Sequence, residues 1–242
     1  MLRRQRALNE YDHSKDEFLT LISHEFRTPL NGLLGTAEFM MEERYAGEEH
    51  AKLRGIFERS RERILALLDD GLLLTQLDVT RKHGSDATAP LGVALSRAVQ
   101  LTTKFAGSRR VVLGPPPADT HVVMADGELL VRALQALLET AIKFSEEGGT
   151  VRIAFDEGLD ALIIEGDGRM IPTGALGRFF DLFAISEAST PAGDLGLAPA
   201  VAHRILALFG ASVTVANRDP AGIRLTVSLE HAEANRDAST ID

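Results

Sequence analysis

The stretch Ser23–Gly32, with the sequence SHEFRTPLNG, places a histidine, an acid, a threonine and a proline inside an apolar series. The apolar residues around it recur every three or four positions: Phe18, Leu21, Ile22, Phe26, Leu30, Leu33 and Leu34. This spacing is typical of one face of an amphipathic helix. It predicts a long first helix from about Asp12 to about Tyr45.

The polar residues of this stretch have a defined geometry on a helix. His24 and Thr28 are four positions apart and lie on one face, whereas Glu25 lies beside the histidine. Pro29 cannot donate a hydrogen bond to the carbonyl of Glu25, which predicts a local bend. A neutral imidazole is a good nucleophile, and a carboxylate that accepts a hydrogen bond from one ring nitrogen makes the other more reactive. Residue chemistry alone leaves a solvated surface as the simpler interpretation.

A second helical series follows a short polar turn around Gly47 and ends near Leu77. Its members are Leu53, Ile56, Phe57, Ser60, Ile64, Leu67, Leu68, Gly71 and Leu74. Two long helices joined by a short loop form an antiparallel hairpin, whose apolar stripes need further neighbours. The sequence therefore predicts a two-fold dimer in which two hairpins make a four-helix bundle.

Composition limits the classes of function. The chain has 242 residues, enough for two domains, and no cysteine, which excludes disulfides and thiol chemistry and suits a reducing compartment. Its formal net charge of −9 argues against a general nucleic-acid surface, which needs clustered Lys and Arg. No apolar run approaches the roughly 20 residues of a membrane helix, so we expect a cytoplasmic chain, although a longer parent protein could be membrane-anchored.

From Pro90 onward helical and strand patterns alternate, which predicts a separate α/β domain. The predicted helices are Leu91–Ala106, Gly127–Phe144, Thr173–Phe183 and Ala200–Phe209. The predicted strands are Val111–Leu113, His121–Met124, Thr150–Phe155, Ala161–Glu165, Ser212–Ala216 and Ile223–Leu229. We therefore divide the chain into a linker helix at 1–12, the hairpin domain at 13–80, a linker at 81–90, the α/β domain at 91–230 and a frayed tail at 231–242.

The motif around the histidine resembles a known family. Lys15–Phe18 followed by Leu21–Leu30 is similar, nearly position for position, to the H-box of bacterial two-component sensor histidine kinases. The resemblance implies that His24 is the phosphoacceptor on a dimeric four-helix bundle, Glu25 its general base, and Thr28 the residue that helps to hydrolyse the phosphorylated response regulator. Residues 1–18 resemble the helical linker that joins an upstream sensor domain to the bundle.

The second domain resembles the family's ATP-binding domain, an α/β sandwich of the GHKL ATPase type. Leu134–Ser145 is similar to the N-box helix, but Ala136 and Thr140 stand where the family has two asparagines, the second of which ligates Mg²⁺. Lys143, which the resemblance places near phosphate, is retained. Magnesium requires near-ideal oxygen ligation, so a threonine hydroxyl predicts weak metal binding, and no residue is assigned as a confident metal ligand.

Two further motifs of that domain also depart from the family pattern. Ile164–Pro172 resembles the G1 box, with Gly166 at the position of the adenine-binding acid and Met170 at that of the second glycine; Asp167 and Gly168 remain candidates. Gly193–Val201 resembles the glycine-rich G2 box, with Gly193 and Gly196 retained but Asp194 and Ala198 replacing glycines. Phe179–Phe183 resembles the F-box.

The resemblance as a whole implies a histidine-kinase core in a phosphorelay. We expect a homodimer in which His24 exchanges phosphate with the aspartate of a response-regulator receiver domain, with binding of ATP and Mg²⁺ weak or absent. One alternative is a true ATP-dependent kinase whose atypical pocket works through Thr140, Lys143 and Asp167. Another is a non-catalytic pseudokinase scaffold that only binds a receiver.

Overall fold

The computed structural model describes residues 26–40, 48–80, 87–118, 121–181 and 195–231, with side chains in 78–80 left out. Residues 26–40 form helix α1, within the predicted first helix, and Glu48–Thr80 form α2. A Cβ placed on Gly32 would lie 2.7 Å from the Ser60 Oγ, so the two helices touch where Gly32 has no side chain. The predicted helical hairpin is confirmed.

The α/β domain contains seven strands and four helices among its described residues. The helices are α3 (Leu91–Ser108), α4 (Gly127–Phe144), α5 (Thr173–Leu176) and α6 (Ala198–Leu208). The strands are β1 (Thr88–Pro90), β2 (Val112–Leu113), β3 (Val122–Met124), β4 (Thr150–Asp156), β5 (Ala161–Gly166), β6 (Ser212–Asn217) and β7 (Ile223–Ser228).

The strands form two sheets. Five of them lie in the order β2-β4-β5-β7-β6, with β2 parallel to β4 and the other neighbours antiparallel. Strands β1 and β3 form a separate antiparallel pair. On β5 the alternate residues Leu162 and Ile164 are fully buried, as are their partners on β7, and this face packs against α4. The mixed sheet with helices on one face confirms the predicted α/β sandwich.

Helix α4 lies at the centre of this domain. Asp126 caps its N-terminus, because its Oδ1 accepts hydrogen bonds from the backbone N–H groups of Glu128 and Leu129, both at 3.0 Å. Glu128 in the first turn and Lys143 in the last complement the helix dipole. These local signals explain why the predicted bounds of this helix agree with the structure.

Three element predictions need correction. The helix predicted for Thr173–Phe183 ends at Leu176, because Gly177 starts a series of turns that inserts the Phe179 ring beside Phe144, 5.8 Å between centroids. Thr88–Pro90, within the segment predicted as a linker, form a strand paired with β3. His231, at the start of the predicted tail, bridges to Val123, and its Nε2 lies 2.8 Å from the Asp160 Oδ1.

Among the residues that the structure describes, no helix is both long and apolar enough to cross a membrane.

Candidate functional site

The predicted phosphoacceptor region lies only partly within the described residues. His24 and Glu25 fall outside them, whereas Thr28 and Pro29 belong to α1. The side chain of Thr28 is exposed and that of Pro29 is buried. The two neighbours therefore lie on different sides of the helix, with Thr28 on the exposed side.

Hairpin helices α1 and α2 expose several large apolar side chains. Leu72 is the most open of them, at 61%. The others are Leu30, Leu34, Phe39, Ile56, Leu65 and Leu68, each at least 40% exposed. Several exposed apolar side chains on two neighbouring helices are typical of a surface that another chain covers.

Thr140, at the predicted metal position on α4, is turned inward. Its side chain is fully buried, and its Oγ1 donates a hydrogen bond to the Ala136 carbonyl at 2.7 Å. Ala136, which also replaces an expected asparagine, is fully buried as well. Neither position presents an oxygen ligand to a cavity outside the helix.

Lys143, one turn further on, is held by the chain itself. Its Nζ donates a hydrogen bond to the Leu195 carbonyl at 2.8 Å. Burial lowers the pKa of Lys143; the carboxylate of Glu139 opposes this shift, and the charge of Arg63 adds to it. The ammonium group therefore lies just before the N-terminus of α6. A Cβ built on Gly196 would be 3.9 Å from the Lys143 Nζ.

Gly196 adopts a φ of +72°, a conformation that side chains rarely tolerate. Gly196 belongs to the described residues, whereas residues 182–194 do not. Gly193, the other predicted glycine of this motif, lies outside the described residues.

The segment 166–168 packs directly on the C-terminal end of α4. A Cβ on Gly166 would lie 2.9 Å from the Ala141 carbonyl oxygen and 3.0 Å from the Ser145 Oγ. At Gly168 a Cβ would meet the backbone of residues 144–146, and Gly168 forms a β-bridge with Ser145. There is consequently no room for a side chain at position 166 in this arrangement.

Asp167 points instead toward the open face of the sheet. Its carboxylate accepts hydrogen bonds from both terminal nitrogens of Arg152, at 2.8 and 2.6 Å, and from Arg218 Nη1 at 2.7 Å. Partial burial acts against ionisation, but the hydrogen bonds from Arg218 and Arg152 outweigh it and lower the pKa of Asp167. The carboxylate is therefore charged and already paired.

The segment that follows is held by the side chain of Asn217, which no sequence motif marked. Asn217 Oδ1 accepts a hydrogen bond from the Ile171 N–H at 2.7 Å, and its Nδ2 donates to the Ile171 carbonyl at 2.8 Å. This pair of hydrogen bonds resembles the contact between two paired β residues and holds Ile171 against the end of β6.

A buried ion pair joins the hairpin to the α/β domain. Asp70 on α2 is 5% exposed, and its Oδ1 accepts a hydrogen bond from Arg132 Nη2 on α4. On either side of it Leu67, Leu74 and Leu77 pack into the same apolar cluster as α4 and α6. Asp70 was not among the residues predicted from the sequence, although its position in the same helical stripe as these leucines was a signal of burial.

Comparison with known proteins identifies both halves of the chain. A family model described as "His Kinase A (phospho-acceptor) domain" matches residues 14–79. A second, described as "Histidine kinase-, DNA gyrase B-, and HSP90-like ATPase", matches residues 125–233.

Relatives with curated descriptions agree with these matches. The aerobic respiration control sensor protein ArcB of Escherichia coli (strain K12) is 28% identical over 235 residues, covering 94% of this chain and 30% of ArcB. Sensor protein KdpD of Clostridium acetobutylicum is 27% identical over 220 residues, covering 88% of this chain and 24% of KdpD. The chain therefore spans less than a third of the length of these relatives.

Solved structures support the fold. The Acinetobacter baumannii histidine kinase AdeS superposes with a TM-score of 0.61 at 19% identity, covering 85% of this chain and 97% of AdeS. Full-length ShkA in complex with AMPPNP gives 0.54 at 23% identity, covering 90% of this chain and 46% of ShkA. With a phosphoacceptor-type hairpin followed by an ATPase-type α/β domain, the chain has the domain arrangement of a histidine-kinase core of two-component signalling.

Proposed function

We propose that His24 is a phosphoryl carrier that exchanges phosphate with the aspartate of a response-regulator receiver domain. In the forward step the bond between the aspartyl oxygen and phosphorus breaks, and a nitrogen of the imidazole forms the new bond to phosphorus. Glu25 acts as the base that takes up the imidazole proton, and Thr28 positions water or a phosphoryl oxygen. The exposed position of Thr28 on α1 supports its part in this proposal.

The proposal rests on the side chains at three positions where a nucleotide would be held: Thr140, Gly166 and Asp167. Thr140 is fully buried, and its hydroxyl donates a hydrogen bond to the Ala136 carbonyl. Gly166 has no carboxylate, and a side chain at this position would meet the end of α4. Asp167 is paired with two arginines on another face. These residues do not fit an adenine nucleotide with Mg²⁺, which supports weak or absent use of ATP by the chain itself.

The proposal also includes a homodimer in the cytoplasm. The exposed leucines of α1 and α2 support a second hairpin as the covering partner, as in a four-helix bundle. The absence of cysteine in the sequence suits a reducing compartment.

Labelled ATP separates this proposal from the two alternatives. With labelled ATP and Mg²⁺, we expect no rapid labelling of the chain. With a receiver domain that carries labelled phosphate, we expect the label to reach the parent chain but not the His24→Ala variant. Rapid His24-dependent labelling from ATP would instead establish the ATP-dependent kinase. Label from neither source would establish a scaffold that only binds the receiver.

Restoring the family's acid should not restore nucleotide binding. We expect Gly166→Asp to lower the free energy of unfolding by about 2 kcal/mol, because its Cβ would press on the Ala141 carbonyl. ATP should leave the melting temperature of this variant unchanged, as measured by thermal shift. Gly177→Asp is the control, since nothing lies within 4 Å of a Cβ there. A melting temperature that rises with ATP only in Gly166→Asp would show that the adenine site is open.

A further inference from the structure

The five-stranded sheet ends in two edges of opposite character. At one end, β2 is only two residues long and is followed by Gly114 and three prolines at 115–117. Because prolines have no N–H to donate and a short strand offers few backbone groups, this edge is protected against further pairing. At the other end, β6 runs for six residues and pairs with β7 at every position, without a bulge.

Strand β6 lacks the residues that usually protect an edge. No charged residue and no proline occurs at positions 205–217. Among the residues that the structure describes, β7 is the only strand paired with β6, and no backbone hydrogen bond from a loop reaches residues 212–216. Asn217, at the end of the strand, is occupied by Ile171. The outer backbone groups of residues 212–216 are therefore open to another strand.

The side chains of β6 alternate between two faces. Ser212, Thr214 and Ala216 are exposed on the side of the sheet away from α4 and α6. Val213 and Val215 lie on the core side, where Val213 is 6% exposed and Val215 is only half-buried. Val215 therefore has apolar surface that a further strand could cover.

We propose that β6 pairs with β6 of a second copy of this chain, antiparallel about a two-fold axis at Thr214. Opposite residues of an antiparallel pair point to the same face, so this register sets Thr214 against Thr214 and Val213 against Val215. A slip by one residue would set the exposed threonine against a core valine. Pairs of threonines and of β-branched apolar residues stabilise adjacent strands, and the neutral strand brings no like charges together.

The composition of the strand favours a second copy over an unrelated extended segment. Its uncharged side chains give no charge by which a different partner could be selected, whereas the symmetric register matches apolar with apolar and polar with polar residues. Five residues per strand make a small interface, so the contact is weak and depends on protein concentration. Combined with the two-fold axis of the proposed hairpin dimer, this second axis generates an open row of dimers. The inference goes beyond the proposed function and involves no transfer of phosphate.

Sedimentation velocity of the full chain measures the contact. We expect species larger than a dimer, growing with protein concentration over about a hundredfold range. Thr214→Lys should weaken this association at least about tenfold, because the two-fold axis sets two lysines face to face. Ser228→Lys is the matched control, since it adds the same charge at an exposed position of β7, one strand in from the edge. That variant should associate as the parent does.

A mixture of two variants tests the register itself. Thr214→Glu alone should associate as poorly as Thr214→Lys, but an equal mixture of the two should recover association, because each lysine then faces a glutamate. Thermal melting should show both variants folded, since residue 214 is exposed.

Three results would refute the pairing through β6: a parent whose size does not change with concentration, a Thr214→Lys variant that associates like the parent, or a mixture that stays apart. If the hairpins do not dimerise, the same contact gives a dimer that Thr214→Lys converts to a monomer. Failure of the hairpin dimer is thereby distinguished from failure of the β6 contact.

Discussion

Arg132→Ala should lower the free energy of unfolding by about 3 kcal/mol, because it leaves a carboxylate buried without its partner. The side chain of Asp70 is 7% exposed and cannot regain its hydration within the contact between α2 and α4. Asp70→Ala should cost less, since Arg132 is 28% exposed and its long side chain can turn toward water. Urea unfolding of the parent and the two variants measures the difference.

The pH dependence of Arg132→Ala follows from the direction of the shift at Asp70. Burial raises the pKa of this carboxyl above its ordinary 3.8, and the charge of Arg132 opposes the rise. A raised pKa means that the folded state holds the proton more tightly, so stability from this group is lost as pH rises through the folded pKa. Without Arg132, the pKa of Asp70 rises further. The stability gap between parent and variant should therefore widen as the pH rises above about 4.

An exposed ion pair on the same helix is the control for this experiment. Lys52 and Glu48 are 3.2 Å apart with side chains 71% and 85% exposed. Lys52→Ala should change the free energy of unfolding by less than about 0.5 kcal/mol. If Arg132→Ala behaves like Lys52→Ala at every pH, the hairpin is not attached to the domain through this pair.

Gly168→Ala should be comparably damaging, for a steric reason. A Cβ at this position would lie 2.7 Å from the Glu146 nitrogen and 2.8 Å from the Ser145 Cα, and closer still to the Phe144 carbonyl oxygen. All three are backbone atoms at or just after the C-terminus of α4. The Phe144 carbonyl oxygen also accepts a hydrogen bond from the Arg169 N–H at 2.9 Å. We expect a loss of about 3 kcal/mol in the free energy of unfolding, because the backbone must separate to admit the methyl group.

Gly174→Ala provides the matched control, since nothing lies within 4 Å of a Cβ there and the residue is in the short helix α5. That variant should be neutral or slightly more stable, by up to about 1 kcal/mol. Equal urea midpoints for Gly168→Ala and Gly174→Ala would mean that the segment 166–168 is not closed onto α4.

Periodicity predicted the elements well where each helix or strand carried its own signals. Helix α4 has an acid cap, an apolar face and a cation in its last turn, and its predicted bounds agree with the structure. The segment after Pro172 looked equally helical, but its aromatic residues pack inward only if the chain turns after Leu176. Such a competition between local pattern and tertiary packing is invisible in one sequence.

The candidate site was predictable only in part, for a related reason. The motifs marked Thr140 and Asp167 as positions where a nucleotide would be held. Which way each side chain points depends on partners far along the chain: Arg218 lies 51 residues from Asp167, and Asn217 lies 46 from Ile171. No short motif encodes those pairs. For Asp70 the sequence signalled burial, through its place between leucines on one stripe of α2, but not its partner Arg132, which lies 62 residues away.

The transfer of phosphate from a receiver domain to His24 distinguishes a phosphoryl carrier from the two alternatives. A receiver domain labelled on its aspartate is mixed with the parent chain or His24→Ala, without nucleotide, and the label on each chain is followed in time. We expect label on the parent alone, in an acid-labile and base-stable form, because a phosphorus–nitrogen bond has these stabilities. Equal label on both chains would contradict the assignment of His24 as the phosphoryl carrier. The absence of label on the parent, together with rapid labelling of the parent by ATP, would contradict it as well.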